Sequence, residues 1–155
     1  MQNYNDSFKD EPHMQWMPHQ DGLITDYGPN PFTVDIRKAA YHNNTYRTAL
    51  WTGAHLQLTM MDIEPGDDIG LEIHPYTDQF LYIVDGQGLT LMGDTKEFLW
   101  FRQPVYDDCA IFIPANTWHN VVNTGKRPLK LISVYAPPHH PFGTVHETKI
   151  DAIEE

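Results

Sequence analysis

Four residues with metal-binding side chains fall in two short stretches of the chain. Glu72 and His74 are two positions apart, Gln79 follows five positions later, and His119 lies in the second stretch. Side chains two apart on a β-strand point to the same face, so Glu72 and His74 are expected to face together. Carboxylate, imidazole and amide groups all bind divalent cations. The pattern therefore predicts a metal site formed by Glu72, His74, Gln79 and His119.

Each of these four residues also has a purely structural interpretation. A buried carboxylate can pair with a neighbouring donor, and a lone buried histidine is most often a hydrogen-bonded core residue. For Gln79 two roles stay open, direct ligation of the metal or a pocket amide that holds water or substrate. For Glu72 an isolated interior charge is costly, and a bound cation would offset that cost.

The predicted metal donors lie among short apolar runs that are separated by turn residues such as Asp85-Gly86 and Gly93-Asp94. Evenly spaced short strands without a long amphipathic helix are typical of a sandwich or a small barrel, so the predicted fold class is all-β. Only residues 36–41 indicate a helical turn. We expect strands at 32–36, 45–51, 55–63, 71–74, 79–85, 88–92, 97–102, 110–113, 119–123 and 129–135.

Three zones follow from this pattern. Residues 1–31 are polar and rich in proline and glycine, and we interpret them as an irregular N-terminal arm. Residues 32–135 form the strand-rich domain. Residues 136–155 begin with closely spaced prolines, which favour an extended path, and end in an acidic tail that we expect to fray.

Charge and cysteine content limit the possible partners and location. The 155 residues fit one domain, and 10 basic against 21 acidic residues give a formal net charge of −11. This balance argues against nucleic acid or an anionic membrane as partner. We expect neither a signal peptide nor a membrane span, because residues 1–7 lack a basic and an apolar region and no apolar run approaches the ~20 residues that span a bilayer. With Cys109 as the single cysteine, we expect a reducing, cytoplasmic location.

Two groups of residues, between roughly 45 and 135, resemble the paired motifs of the cupin family. The first motif maps onto Gly66, Glu72, His74, Gln79 and Gly86, and the second onto Pro114, Asn116, His119 and Asn123. The resemblance implies a small single-domain cupin, that is, a double-stranded β-helix (jelly-roll) barrel with a metal ion in its interior.

The metal-ligand set departs from the family's usual one. Glu72 stands where cupins usually have the first histidine, Gln79 where they usually have glutamate, and Asn116 where they usually have glycine. The resulting set of two nitrogen and two oxygen donors favours Zn²⁺, Mn²⁺ or Fe²⁺ over copper. It is similar to the zinc set of mannose-6-phosphate isomerases, with the glutamate and the glutamine exchanged.

The resemblance implies several functions. The first is a metal-dependent cupin that binds or acts on a small polar molecule, sugar-like or an oxo acid, by isomerase- or lyase-type chemistry. The alternatives are a metal-dependent dioxygenase and a non-enzymatic protein that binds metal or ligand or has a structural, coat- or storage-type role. A homodimer is also expected, because the apolar strand at 45–51 would otherwise present an uncovered edge.

Other candidate residues have weaker signals. Arg47 and Arg102 fall in predicted strands and would reach the interior only if their side chains lie on the inward face, so neither is assigned to the site. His139, His140 and His146 are expected at the surface or on a lid formed by the C-terminal segment. Cys109 starts a strand and is expected to be buried and inert.

Overall fold

The structure is a computed structural model, and it describes residues 26–154. Most of the predicted arm at 1–31 lies outside the described residues, and positions 26–31 contain no helix or strand. The elements follow one another in this order: α1 (Ile36–His42), β1 (Arg47–Thr52), β2 (Gln57–Ile63), β3 (Asp78–Asp85), β4 (Gln87–Gly93), β5 (Phe101–Tyr106), β6 (Ala110–Ile113), β7 (Trp118–Asn123), β8 (Leu129–Ala136), β9 (Val145–His146) and α2 (Lys149–Ile153).

The strands form two antiparallel sheets, which confirms the predicted all-β class. A six-stranded sheet has the order β6-β3-β8-β2-β1-β9, and a three-stranded sheet has the order β5-β4-β7. The non-consecutive neighbours show that the chain crosses between sheets instead of pairing only adjacent strands. No helix within residues 26–154 is long and apolar enough to cross a membrane.

The hydrophobic core lies between the sheets and follows the two-residue period of the strands. On β3, Leu81 and Ile83 are fully buried, and on β8, Leu129 and Leu131 are also fully buried. The register pairs Ile83 with Leu131, so the inward faces of the two strands coincide. Continuing the same period toward the other end of β3 reaches Gln79, whose side chain therefore shares this inward face.

Helix α1 covers the outer face of the six-stranded sheet. Its first turn is capped by Asp35, whose side chain accepts a hydrogen bond from the Lys38 backbone N–H. Ala39 and Ala40 are fully buried in a second apolar cluster on this face, together with Leu50, Met60, Val84 and Ile132. The two alanines let the helix approach the sheet closely.

Three predicted strands differ from the structure. Residues 32–35 form no strand and lead into α1, because Asp35 caps a helix at Ile36. The strand expected at 97–102 begins at Phe101 and continues to Tyr106. Residues 71–74 form no continuous strand, and Glu72 makes a single bridge with His119.

The C-terminal region contains two elements that the sequence interpretation missed. Strand β9 pairs with β1 through Arg47–His146 and Thr48–Val145. Helix α2 begins at a capping box in which Thr148 and Asp151 bond reciprocally, so most of the tail expected to fray is helical. The Thr-x-x-Asp spacing was the available signal for this helix.

Strand β1 is not an open edge in the described structure. Besides its pairing with β9, the strand makes two further backbone hydrogen bonds. The Tyr27 N–H donates to the Leu50 carbonyl at 2.9 Å, and the Ala49 N–H donates to the Thr144 carbonyl at 2.8 Å. The uncovered edge that motivated the homodimer is therefore covered in part by the same chain. The homodimer itself stays a prediction.

One turn of the second motif contains a residue with a left-handed backbone conformation. Asn116 replaces the usual glycine and has a φ of 62°, in the left-handed region that asparagine tolerates better than most residues. The Asn116 N–H donates to the His74 carbonyl at 2.8 Å. This turn thus connects the second motif directly to the first.

Candidate metal centre

Glu72, His74 and His119 meet in a cluster in which the two histidines are buried and the glutamate is half-buried. The Glu72 Oε1 atom lies 3.2 Å from His74 Nε2 and 3.3 Å from His119 Nε2. The three donor atoms all lie within 4.8 Å of one another. Two donors at the ~2.0–2.1 Å bonds of a tetrahedral zinc site would be about 3.3 Å apart, so both measured separations fit a shared cation.

Backbone pairing places Glu72 beside His119. The Glu72 N–H donates to the His119 carbonyl at 3.0 Å, and the His119 N–H donates to the Glu72 carbonyl at 2.9 Å. His119 occupies the inward face of β7, and its side chain is only 1% exposed. Two stretches far apart in sequence therefore hold their donor groups in one fixed arrangement.

The protonation of His119 leaves a lone pair directed at the cluster. Its Nδ1 lies 2.8 Å from the Thr117 carbonyl oxygen. Because a carbonyl oxygen can only accept, Nδ1 carries the proton of the neutral ring, and Nε2 is the free acceptor. The Nε2 atoms of His74 and His119 are buried and lack a hydrogen-bond partner within residues 26–154. Two such acceptors around a carboxylate oxygen fit a cation between them.

Glu72 is held in its ionised form. Burial raises the pKa of its carboxyl group, but interactions with the His119 and His74 rings in their protonated form outweigh this effect and bring the pKa well below the ordinary value. A cation bound at the two Nε2 atoms would supply the same positive charge in place of those protons. An ionised carboxylate is the form that binds a metal ion. The donor set therefore fits a divalent cation in both charge and geometry.

Gln79 lies on the inward face of β3 with one amide atom unused. Its Nε2 donates to Ser133 Oγ at 2.8 Å, which fixes the orientation of the amide. Its Oε1 is buried and has no hydrogen-bond partner within residues 26–154. Gln79 pairs in register with Tyr135, whose ring packs at 5.8 Å from the ring of His74. Direct ligation by Gln79 stays a prediction, and its free oxygen is consistent with that role.

A cavity of about 340 Å³ opens beside Glu72. Its wall is formed by residues of β1, the 69–72 stretch, the segment at 139–141 and helix α2, and the polar side chains among them are Tyr46, Arg47, Glu72, His139, His140 and Lys149. A small molecule in this space would lie next to a candidate metal ligand. The volume is at the lower end of the ~300–1,000 Å³ typical of small-molecule sites.

Comparison with known proteins matches this description of the fold. The sequence model of the cupin domain family matches residues 59–135 of this chain. The chain belongs to the cupin family. The uncharacterized protein YrkC of Bacillus subtilis is 63% identical over 131 residues, which cover 84% of this chain and 70% of that protein. The predicted cupin fold is confirmed.

Two further relatives support the assignment. The crystal structure of BH2720 from Bacillus halodurans has 58% sequence identity and a TM-score of 0.84, covering 85% of this chain and 100% of that chain. The uncharacterized protein L612 of Acanthamoeba polyphaga mimivirus is 35% identical over 115 residues, which cover 74% of this chain and 70% of that protein.

In this cupin the C-terminal segment packs against the candidate metal ligand His74. The His139 ring lies with its centroid 4.1 Å from that of His74. The fully buried Gln57 fixes the segment, because its Oε1 accepts from the backbone N–H groups of His139 and His140, at 3.2 and 2.9 Å, and its Nε2 donates to the His140 carbonyl at 2.9 Å. His139 and His140 lie in this segment, as expected for a lid. His146 is buried, so its expected position at the surface is wrong.

His140 is uncharged in this environment. Burial lowers the pKa of its imidazole to about 3, and the positive charge of Arg47 acts in the same direction. Its Nε2 lies 3.3 Å from the hydroxyl of Tyr135. His140 therefore lines the cavity as a neutral hydrogen-bonding group.

The sequence interpretation left one important cavity residue unassigned. Arg47 faces the interior and is 4% exposed, whereas Arg102, the other arginine considered, is exposed. The signal available for Arg47 was its place in a predicted strand, but the sequence did not settle which face it occupies. Cys109 is half-buried, so its predicted full burial is wrong.

Proposed function

We propose that this cupin binds a divalent metal ion through Glu72, His74 and His119, with the Gln79 amide oxygen as a fourth donor, and acts on a small polar molecule in the adjoining cavity. The observation that carries this proposal is the Glu72 carboxylate oxygen between two histidine nitrogens at 3.2 and 3.3 Å. Zn²⁺, Mn²⁺ and Fe²⁺ all suit such a mixed nitrogen and oxygen donor set.

The chain's own groups prepare this site before any ion enters. Thr117 fixes the ring of His119 through the Nδ1 hydrogen bond, and Ser133 orients the amide of Gln79. Such supporting hydrogen bonds commonly set the tautomer and orientation of metal ligands. A bound cation would polarise a carbonyl or hydroxyl oxygen of the ligand as a Lewis acid.

The proposed ligand is sugar-like or an oxo acid, and the proposed chemistry is of isomerase or lyase type. The cavity walls support a polar ligand, because His139, His140 and Tyr46 provide hydrogen-bonding groups beside Glu72. Imidazole and phenol groups can donate hydrogen bonds to, or accept them from, the hydroxyl groups of a polar ligand. The backbone clamp of Gln57 keeps the two histidines at this wall.

Elemental analysis of protein purified without added metal tests the proposal. We expect close to one equivalent of a divalent metal in the wild type and a loss of most of it in Glu72→Gln and His119→Gln. The matched control is His55→Gln, since His55 is an exposed histidine in the turn between β1 and β2. That variant should keep its metal.

The same experiment has a clear negative result. Equal metal content in the wild type, Glu72→Gln and His119→Gln would show that any metal lies elsewhere. Circular dichroism of each variant confirms that the comparison is made on folded protein. An anomalous-scattering map of metal-loaded crystals would then decide whether Gln79 contacts the ion.

A further inference from the structure

Arg47 brings a positive charge to the inner wall of the metal-site cavity. It lies on β1 with its Cα opposite that of Met61, on the face that points between the sheets. Only 4% of the residue is exposed, yet it lines the same cavity as Glu72. A guanidinium group stays protonated in proteins, so this position holds a buried, permanent cation.

The contacts of Arg47 within residues 26–154 do not neutralise it. Its Nη1 lies 3.1 Å from Nδ1 of His146, and its Nη2 lies 3.9 Å from the sulfur of Met61. Because guanidinium can only donate, the His146 nitrogen is the acceptor and belongs to a neutral ring. The Nε atom is buried and has no hydrogen-bond partner in this part of the chain.

Carboxylates close to the cavity are already paired with other groups. No ion pair joins Arg47 to a carboxylate within residues 26–154, and Glu72 lies between His74 and His119. Asp67 and Asp68 both bind Lys149, the other cation of the cavity wall. A buried charge without a counter-ion is strongly unfavourable, so the part of the chain from 26 to 154 leaves one positive charge that a ligand could match.

We infer that Arg47 forms an anion-binding subsite and that the molecule bound in this cavity carries a carboxylate group. The inference rests on the proposed function and narrows its ligand to a polar acid, whose oxygen atoms reach the metal while its carboxylate faces Arg47. A carboxylate matches one guanidinium in charge and shape. A phosphate monoester carries a charge of about −1.5 to −2 and would need a second cation, which Lys149 does not supply because of its two aspartates.

Binding of three six-carbon probes, measured by isothermal titration calorimetry on the full chain, tests this subsite. The probes are gluconate, neutral sorbitol and sorbitol 6-phosphate, and each is measured with Mn²⁺-loaded and with chelator-treated protein. We expect gluconate to bind at least about tenfold more tightly than sorbitol, which is the size of one charged hydrogen bond. Arg47→Gln should abolish this difference and leave the metal content unchanged.

The matched control is Arg37→Gln, which removes an exposed arginine paired with Asp108 on the surface. It should keep the wild-type preference for gluconate. Arg47→Lys retains the charge but loses the planar fork, so it should recover part of the preference. If Arg47→Gln does not fold, the wild-type ranking of the three probes and the lysine variant still decide the question.

The outcomes separate the subsite from the metal proposal. Equal binding of gluconate and sorbitol to metal-loaded wild type, or no binding of any probe, would overturn the subsite alone. Tighter binding of sorbitol 6-phosphate than of gluconate would overturn the carboxylate assignment. If the protein takes up no metal even when Mn²⁺ is added, an Arg47-dependent preference for gluconate would support the subsite while the metal proposal fails.

Discussion

The interior of this cupin has two ends of opposite character, and the same strands build both. Strand β8 begins inward with Leu129 and Leu131 and continues with Ser133 and Tyr135. The neighbouring strands β2 and β3 change from apolar to polar residues in the same direction. Leu129 at the apolar end is paired with Ile63, whereas Tyr135 at the polar end is paired with both Gln57 and Gln79. We call these the apolar end and the polar end of the interior.

The two ends differ in how completely their buried groups are satisfied. The apolar end contains fully buried aliphatic side chains and needs no hydrogen bonds. Five of the eight buried polar atoms without a hydrogen-bond partner in residues 26–154 belong to the polar end: Arg47 Nε, Thr59 Oγ1, His74 Nε2, Gln79 Oε1 and His119 Nε2. The other three are Asp62 Oδ1, Thr90 Oγ1 and Asn120 Oδ1. Unpaired buried groups destabilise a fold, so an excess of them at one end is expected if that end serves the proposed binding function.

The largest expected effect comes from breaking the apolar end. Leu131 is fully buried between the sheets, so Leu131→Ala should lower the free energy of unfolding by about 2–5 kcal/mol. Denaturant titration measures the loss. The metal content of the folded fraction should not change, because Leu131 is not one of the candidate metal donors. Leu56→Ala, at an exposed leucine, should change stability by less than about 0.5 kcal/mol.

Metal should stabilise the polar end. At a free metal concentration one hundred times the Kd, binding adds about 2.7 kcal/mol to the free energy of unfolding of the wild type. Thermal unfolding with Mn²⁺ or Zn²⁺ against chelator measures this difference. Glu72→Gln should show little increase. An equal increase in both proteins would place the stabilising metal outside the Glu72 cluster.

Gln57 joins the polar end to the C-terminal wall, and its loss should have an intermediate effect. Gln57→Leu leaves the backbone N–H groups of His139 and His140 without their acceptor, which should cost about 1–3 kcal/mol. Hydrogen exchange at these two amides should become faster. Gln103→Leu, at an exposed glutamine, is the control and should leave their exchange unchanged. Unchanged exchange in Gln57→Leu would mean that the segment is held by other contacts.

The smallest expected effect is the pH dependence contributed by His140. Burial lowers the pKa of its imidazole from 6.5 to about 3, so the unfolded chain binds more protons between these values. Stability should therefore rise with pH across this window and fall as the pH drops from 6.5 toward 3. The slope at pH 5–6.5, measured on chelated protein by denaturant titration, should decrease in His140→Asn. This range lies above the ordinary pKa of the Glu72 carboxyl, 4.5, so Glu72 contributes little to the slope.

Local periodicity was sufficient to predict the all-β class and the shared face of Glu72 and His74, whereas the meeting of His119 with them was implied by the resemblance to the paired cupin motifs. Glu72 and His74 shared a face even though 71–74 is not a continuous strand. The inward position of Arg47 was not predictable, because a register shift between Ala49 and Trp51 breaks the alternation on β1. The wall at 139–141 depends on Gln57, more than eighty residues earlier, and no local pattern indicates such a contact.

The reciprocal backbone bonds between Glu72 and His119 hold these two candidate ligands in place without help from an ion. A site assembled by the fold itself loses little conformational entropy on binding, so the affinity is governed mainly by the dehydration of the ion. A fixed spacing of donors also adjusts little to ions of different radius. The strand pairing, rather than the ion, would then determine which coordination geometry this protein accepts.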